Sequence, residues 1–256
     1  TNSVGNGVIY DHGAFDWEGV EFHCPPHNEL VIYEAHIGSF FTEGGGPGNF
    51  QTAMDKIGHL LHLGVNAVQL MPVMEFAGDY SWGYNPAHIF AVESAYGGPD
   101  ALKTFIRECH KNGIAVLMDV VYNHFGPSDL DLWTFDGWSE NGKGGIYFFQ
   151  DWRSATPWGD TRPDYGREEV RRFIRDNALM WLRDYRADGL RYDMTPYMRS
   201  VSGSGIDIPE GWDLMRWINT DIRSEFPGRI TIAEDMHGDP RITGTEDGGA
   251  AFHAQW

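Results

Sequence analysis

Ile114-Ala-Val-Leu-Met-Asp-Val-Val121 is apolar at every position except Asp119. A strand with one wet face would alternate polar and apolar residues. This run does not, so it predicts a strand buried on both faces, as in a parallel sheet. Just before it, Leu102, Phe105, Ile106 and Cys109 fall on one face of a helix predicted near 99–112, which Gly113 stops. The same alternation extends in both directions. Leu30–Ile37, Ala67–Met71, Gly189–Asp193 and Arg229–Glu234 read as strands, and 50–63, 167–186 and 210–225 as helices. Five strands alternating with helices imply repeated right-handed βαβ units. Two α/β architectures fit, a doubly wound open sheet or a (β/α)8 TIM barrel. No G-x-G-x-x-G follows the first strand, which weakens the dinucleotide-binding form of the open sheet. Units of about 45 residues, long loops included, suit the barrel.

The chain has 256 residues, 41% of them hydrophobic and 22% charged, enough for a sizeable core. Its formal net charge is −18, which repels nucleic-acid phosphates and anionic lipid, so neither is an expected partner. No run of 18 apolar residues exists to span a membrane. Cys24 and Cys109 are far apart and form no CxxC, which argues against a disulfide scaffold or a thiolate zinc site and suits a reducing, cytoplasmic setting. Aromatic residues reach 14%, more than such a core needs, and flat rings are what sugars stack on.

Three acids stand at or near the C-terminal ends of three successive strands: Asp119, Asp193 and Glu234. That end of an α/β sheet is its catalytic face. A single acid there would read as a structural helix cap; three, each after an apolar run, point to chemistry. Glycoside cleavage needs a carboxylate pair, about 5–5.5 Å apart in retaining enzymes. Neighbouring strands, about 4.8 Å apart, can provide that spacing. Arg191 lies two residues before Asp193 and shares its face of the strand. A fixed cation there favours an ionised Asp193.

Asp119-Val-Val-Tyr-Asn-His124, Gly189-Leu-Arg-Tyr-Asp193 and Ile232-Ala-Glu234 resemble the first three of four motifs of the α-amylase superfamily, in that family's order. Tyr33-Glu-Ala-His-Ile-Gly38 and Ser81-Trp-Gly-Tyr-Asn-Pro86 extend the likeness from about residue 30 to the end. The chain is most similar to the branch of glycogen branching enzymes and malto-oligosyltrehalose trehalohydrolases. The resemblance implies that Asp193 is the nucleophile and Glu234 the general acid/base, with Arg191 beside them. It also implies that His124 contacts sugar, that Asp119 is a supporting carboxylate orienting Arg191, and that Tyr84, with Trp82 beside it, is an aromatic platform. Asn123 matches a calcium ligand of many α-amylases, but that site needs further partners and branching enzymes generally do without it. No metal or other cofactor is therefore expected.

The fourth motif, which ends in a third catalytic carboxylate, has no counterpart, and the expected Gly-Phe-Asp-x-x-Trp reads Ala251-Phe-His-Ala-Gln-Trp256. The expected organisation is a linker or arm over 1–29 and an incomplete barrel over 30–256. That barrel is truncated after about strand five and carries an irregular insertion at about 125–165. Trp133, Trp138 and Trp158 of the insertion are candidates either for glucan subsites or for pinning the loop. The function implied is a retaining enzyme on α-1,4-glucan, of the branching (glucanotransferase) type. An α-amylase or trehalohydrolase-type hydrolase and an inactive glucan-binding fragment are the alternatives.

Overall fold

The computed structural model describes residues 7–126, 132–246 and 248–256. They form two compact units: one runs to Asp119 and adds Met180–Leu190, and the other comprises Val120–Leu179 and Arg191–Trp256.

In the first unit β1 (Ile32–Ala35) leads through a single helical turn, α1 (Ile37–Phe40), to α2 (Phe50–Met54) and α3 (Ile57–His62). The sequence predicts one helix over 50–63. The chain instead breaks at Asp55 and Lys56, where Lys56 has φ −104° and ψ 3°. Asn49 opens α2 with a capping box shared with Thr52, which satisfies amides that the helix leaves unpaired. Then come β2 (Ala67–Leu70), the pair β3 (Met74–Phe76) and β4 (Pro86–Val92), α4 (Gly98–Lys111) and β5 (Ala115–Val120). β1 pairs parallel with β2, and β2 with β5, placing Tyr33 beside Val68 and Val68 beside Val116. β3 and β4 form a separate antiparallel ribbon with an irregular register.

Residues 7–22 lie along α4. The buried Lys103 donates to His12 O at 3.0 Å and sits over the rings of Tyr10, Phe15 and Tyr185. Burial lowers its pKa. Farther along, Phe22 stacks on His110 at 4.4 Å, and His110 Nε2 lies 2.7 Å from the fully buried Asp188.

α5 (Glu168–Arg183) precedes β6 (Gly189–Tyr192), and the strand passes from the first unit into the second. The second unit continues with α6 (Pro196–Arg199), α7 (Pro209–Glu225), β7 (Ile230–Ala233) and β8 (Ala254–Gln255). The main sheet has the order β1-β2-β5-β6-β7-β8. The amide of Asp188 donates to Val116 O and that of Asp193 to Val120 O, so β5 and β6 advance in the same direction. β7 and β8 are likewise parallel. Sequential order and parallel direction are those of a (β/α)8 barrel, not of a doubly wound sheet, whose order reverses. The structure adds a sixth strand to this sheet, the two-residue β8, beyond the five expected. All residues of β2, β5, β6 and β7 are buried, as their unbroken apolar runs require. Among the described residues no helix is long and apolar enough to cross a membrane.

The described part of 125–165 is mostly irregular, with one short helical turn at Trp152–Ser154 and two isolated bridges, Phe148 to Pro163 and Thr156 to Gly159.

Candidate active site

β6 delivers Arg191 to the buried face and Asp193 just past its end, while β7 delivers Glu234. In the second unit these three meet. Arg191 Nη1 lies 3.0 Å from Asp193 Oδ1, and Nη2 lies 2.6 Å from Glu234 Oε2. One planar guanidinium thus spans both carboxylates, a use of its fixed fork that a lysine cannot reproduce. Asp193 is buried. Its second oxygen, Oδ2, accepts from Asn123 Nδ2 at 2.7 Å, and the same amide reaches Asp193 O at 2.8 Å. Burial pushes the Asp193 carboxyl up to about 6, and the nearby Glu234 adds to the rise. Arg191 and the Asn123 hydrogen bond oppose the rise by favouring the charged form.

Glu234 Oε2 also accepts from the Met194 amide at 2.8 Å. Met194 has φ +39°, a left-handed conformation that costs a non-glycine residue about 1–3 kcal/mol. The strain is held by the next residue, whose amide donates to Glu234 O at 2.9 Å and whose Thr195 hydroxyl reaches Glu234 O and Asp235 Oδ2. Both donors to Glu234 use one oxygen, Oε2.

Of the remaining residues singled out in the sequence, His124 is buried in the second unit. Its Nδ1 faces Asn123 Oδ1 at 2.5 Å, and its ring stacks on Trp158 at 4.5 Å. Asn123, which matches a calcium ligand, therefore turns its amide to Asp193 and its oxygen to His124. Among the described residues no three His, Cys, Asp or Glu side chains are grouped to hold a metal ion. In the first unit the Tyr84 hydroxyl donates to Asp119 Oδ2 at 2.8 Å, a partnership that the motifs do not suggest, and Trp82 stands 70% exposed.

The loop tryptophans divide. Trp158 reaches His124 and, edge-on, Tyr197 at 5.3 Å, whereas Trp133 packs on Phe148 at 5.3 Å. Trp138 lies under the Arg167 guanidinium. Residues that the motifs leave out also join the site. They are Met194, the buried pair Arg199 and Asp235, and Trp256, whose ring centre is 5.9 Å from Arg191 Cζ. Of these, Trp256 ends the expected Gly-Phe-Asp-x-x-Trp pattern.

The second unit thus sets an arginine between two carboxylates at the ends of adjacent strands of a parallel sheet in barrel order. The alpha-amylase catalytic-domain family matches residues 38–134, and the chain belongs to the α-amylase superfamily. It is 43% identical over 254 residues to the malto-oligosyltrehalose trehalohydrolase of Arthrobacter ramosus, covering 98% of this chain and 41% of that protein. It is 35% identical over 266 residues to the 1,4-alpha-glucan branching enzyme GlgB of Picrophilus torridus, covering 98% and 36%. A crystal structure described as an alpha amylase from Salmonella typhimurium superposes with a TM-score of 0.81 at 30% identity, over all of this chain and 41% of that one. The chain spans about two fifths of the length of the curated relatives it matches.

Proposed function

We propose that this chain carries the nucleophile and the acid/base of a retaining α-glucan enzyme, a glucanotransferase of the branching type. The observation that supports this reading best is the single Arg191 guanidinium bonded to both Asp193 and Glu234. An oxygen of Asp193 attacks the anomeric carbon as the glycosidic C–O bond breaks, and the departing oxygen takes its proton from Glu234 Oε1. In the second half a sugar 6-hydroxyl attacks the anomeric carbon, gives its proton to Glu234 and releases Asp193. Arg191 keeps the nucleophile charged and aligned. His124 with Trp158 contributes sugar contacts in its unit, and Tyr84, set by Asp119, contributes an aromatic platform in the other, with Trp82 beside it. Asp119 acts here through Tyr84; its expected role in orienting Arg191 stays a proposal. The substrate is an α-1,4-glucan. Cys24 and Cys109 form no disulfide, compatible with a reducing cytoplasm.

The test uses the full-length protein. Asp193→Asn removes the attacking charge, so no glycosyl-enzyme should form from any substrate. Glu234→Gln removes the proton donor, so native glucan should fail while an α-glucosyl fluoride still loads the nucleophile. Near-normal turnover of native glucan by either variant would sink the proposal. A second reading, hydrolysis of the trehalohydrolase type, draws on the relatives carrying that name. New α-1,6 branch points in the product support transfer; release of trehalose supports hydrolysis.

A further inference from the structure

Within the second unit the chain reverses at Glu140-Asn-Gly-Lys143, where the Lys143 amide donates to Glu140 O at 2.9 Å. Both central residues are left-handed, Asn141 at φ +53° and Gly142 at φ +69°, as a type I′ turn requires. Gln150 pins this turn. Its Oε1 accepts the Glu140 amide at 3.0 Å, its carbonyl accepts Asn141 Nδ2 at 3.0 Å, and its Nε2 donates to Gly145 O at 3.0 Å and Phe148 O at 2.8 Å. Asn141 and Gly142 are both exposed. The Gly142 amide donates to no acceptor among the described residues, and glycine has no β-carbon to crowd its nitrogen. A side-chain carboxamide therefore stands next to an unbonded, unhindered backbone nitrogen in water.

Asn112–Gly113 has the same sequence, but there the backbone is held. The Asn112 amide donates to Cys109 O at 3.0 Å, the Gly113 amide to His110 O at 3.0 Å and the Ile114 amide to Cys109 O at 2.9 Å, while Asn112 Nδ2 donates to Glu108 O at 2.9 Å. We propose that Asn141–Gly142 is a site of spontaneous covalent modification, with water as the co-reactant. The Gly142 nitrogen gives up its proton and attacks Asn141 Cγ. The Cγ–Nδ2 bond breaks, and Nδ2 takes up a proton and leaves as ammonia. Water then opens the resulting cyclic imide. Breaking the new bond to Cγ gives aspartate, and breaking the original peptide bond gives isoaspartate, whose backbone runs through the side chain. The net change is one water consumed, one ammonia released and one negative charge gained. Neither product keeps the turn pinned. The Nδ2 donor to Gln150 O becomes a carboxylate oxygen, so two acceptors face each other. Isoaspartate also lengthens the backbone, which breaks the type I′ geometry. The modification thus loosens the segment over 138–150, and it stands independently of the catalytic reading.

The test is incubation of the folded chain in mildly alkaline water labelled with heavy oxygen, followed by proteolysis and mass spectrometry of the peptides. The peptide holding Asn141 should exchange its amide for heavy oxygen about tenfold faster than the peptide holding Asn112, because fewer hydrogen bonds must open. Chromatography should resolve its product into aspartate and isoaspartate forms. Conversion no faster than at Asn112 overturns the site, and aspartate without isoaspartate overturns the imide route. Gln150→Ala removes the acceptor of the Glu140 amide, so conversion at Asn141 should rise severalfold while Asn112 is unaffected. An unchanged near-ultraviolet spectrum establishes that this variant folds, and an unaltered rate at Asn141 overturns the control by the pinned turn. Asn141→Asp, one exposed substitution, reads the consequence without Gln150→Ala. Hydrogen exchange of the amides over 138–150 should quicken by about fivefold, the worth of one lost hydrogen bond. Exchange there at the wild-type rate overturns the loosening.

Discussion

Arg199 grips Asp235 along two edges, Nε to Oδ2 at 3.1 Å and Nη2 to Oδ1 at 2.9 Å, and both residues are buried. Asp235 follows Glu234 directly, and its Oδ2 also accepts from Thr195, which holds the strained Met194 turn. The pair therefore braces the segment linking the two candidate catalytic carboxylates. Removing one member strands a buried charge. Asp235→Ala or Arg199→Ala is expected to destabilise the chain by about 3–5 kcal/mol. Urea unfolding checks this, and a loss below about 1 kcal/mol would show that the brace is not needed.

Asp193 makes stability depend on pH with a definite sign. Its folded pKa of about 6 lies above the ordinary 3.8, so the folded state binds the proton more tightly. Its contribution is therefore greatest below the unfolded value and is lost as pH rises from about 4 to 6. Asp193→Asn removes that loss. The variant should be more stable than wild type at pH 8, by at most about 3 kcal/mol, and should show no such gain at pH 4. Tm measured at both pH values decides it; an equal difference at both would contradict the assignment. In the full-length protein kcat/KM should fall as pH drops below about 6, where the nucleophile takes up a proton.

Asn123 is fully buried and gives Asp193 two hydrogen bonds. Asn123→Ala is expected to cost about 1–3 kcal/mol through the acceptors left unpaired. It also removes a donor that favours the charged carboxylate, so the Asp193 pKa should rise further. Carboxyl-carbon NMR titration reads this directly; a downward move would mean that Asn123 does not stabilise the anion.

Trp158 and Trp133 should respond oppositely to truncation. Trp158 is 46% exposed and covers His124, so Trp158→Ala should weaken maltoheptaose binding with little change in Tm. Trp133 packs within the loop against Phe148, so Trp133→Ala should lower Tm and leave affinity alone. Reversed results would exchange the two roles.

Much of this protein is legible in one dimension, because burial on both faces of a strand demands an unbroken apolar run, and β2, β5, β6 and β7 are such runs. Helix faces are equally local: the Leu102, Phe105, Ile106 and Cys109 stripe is the buried face of α4. Arg191 and Asp193 had to share a face, since side chains two apart on a strand point the same way. Other features required the folded chain. The β3–β4 ribbon is short and its register irregular, so no alternation announces it, and the break at Asp55 and Lys56 leaves the apolar spacing of 50–63 intact. The Asn123 bond to Asp193 joins residues 70 positions apart, and the Met194 bond to Glu234 residues 40 apart. Which donors meet which carboxylate depends on strand register and turn conformation. Those follow from packing of the whole sheet, whereas periodicity records only how each segment is buried.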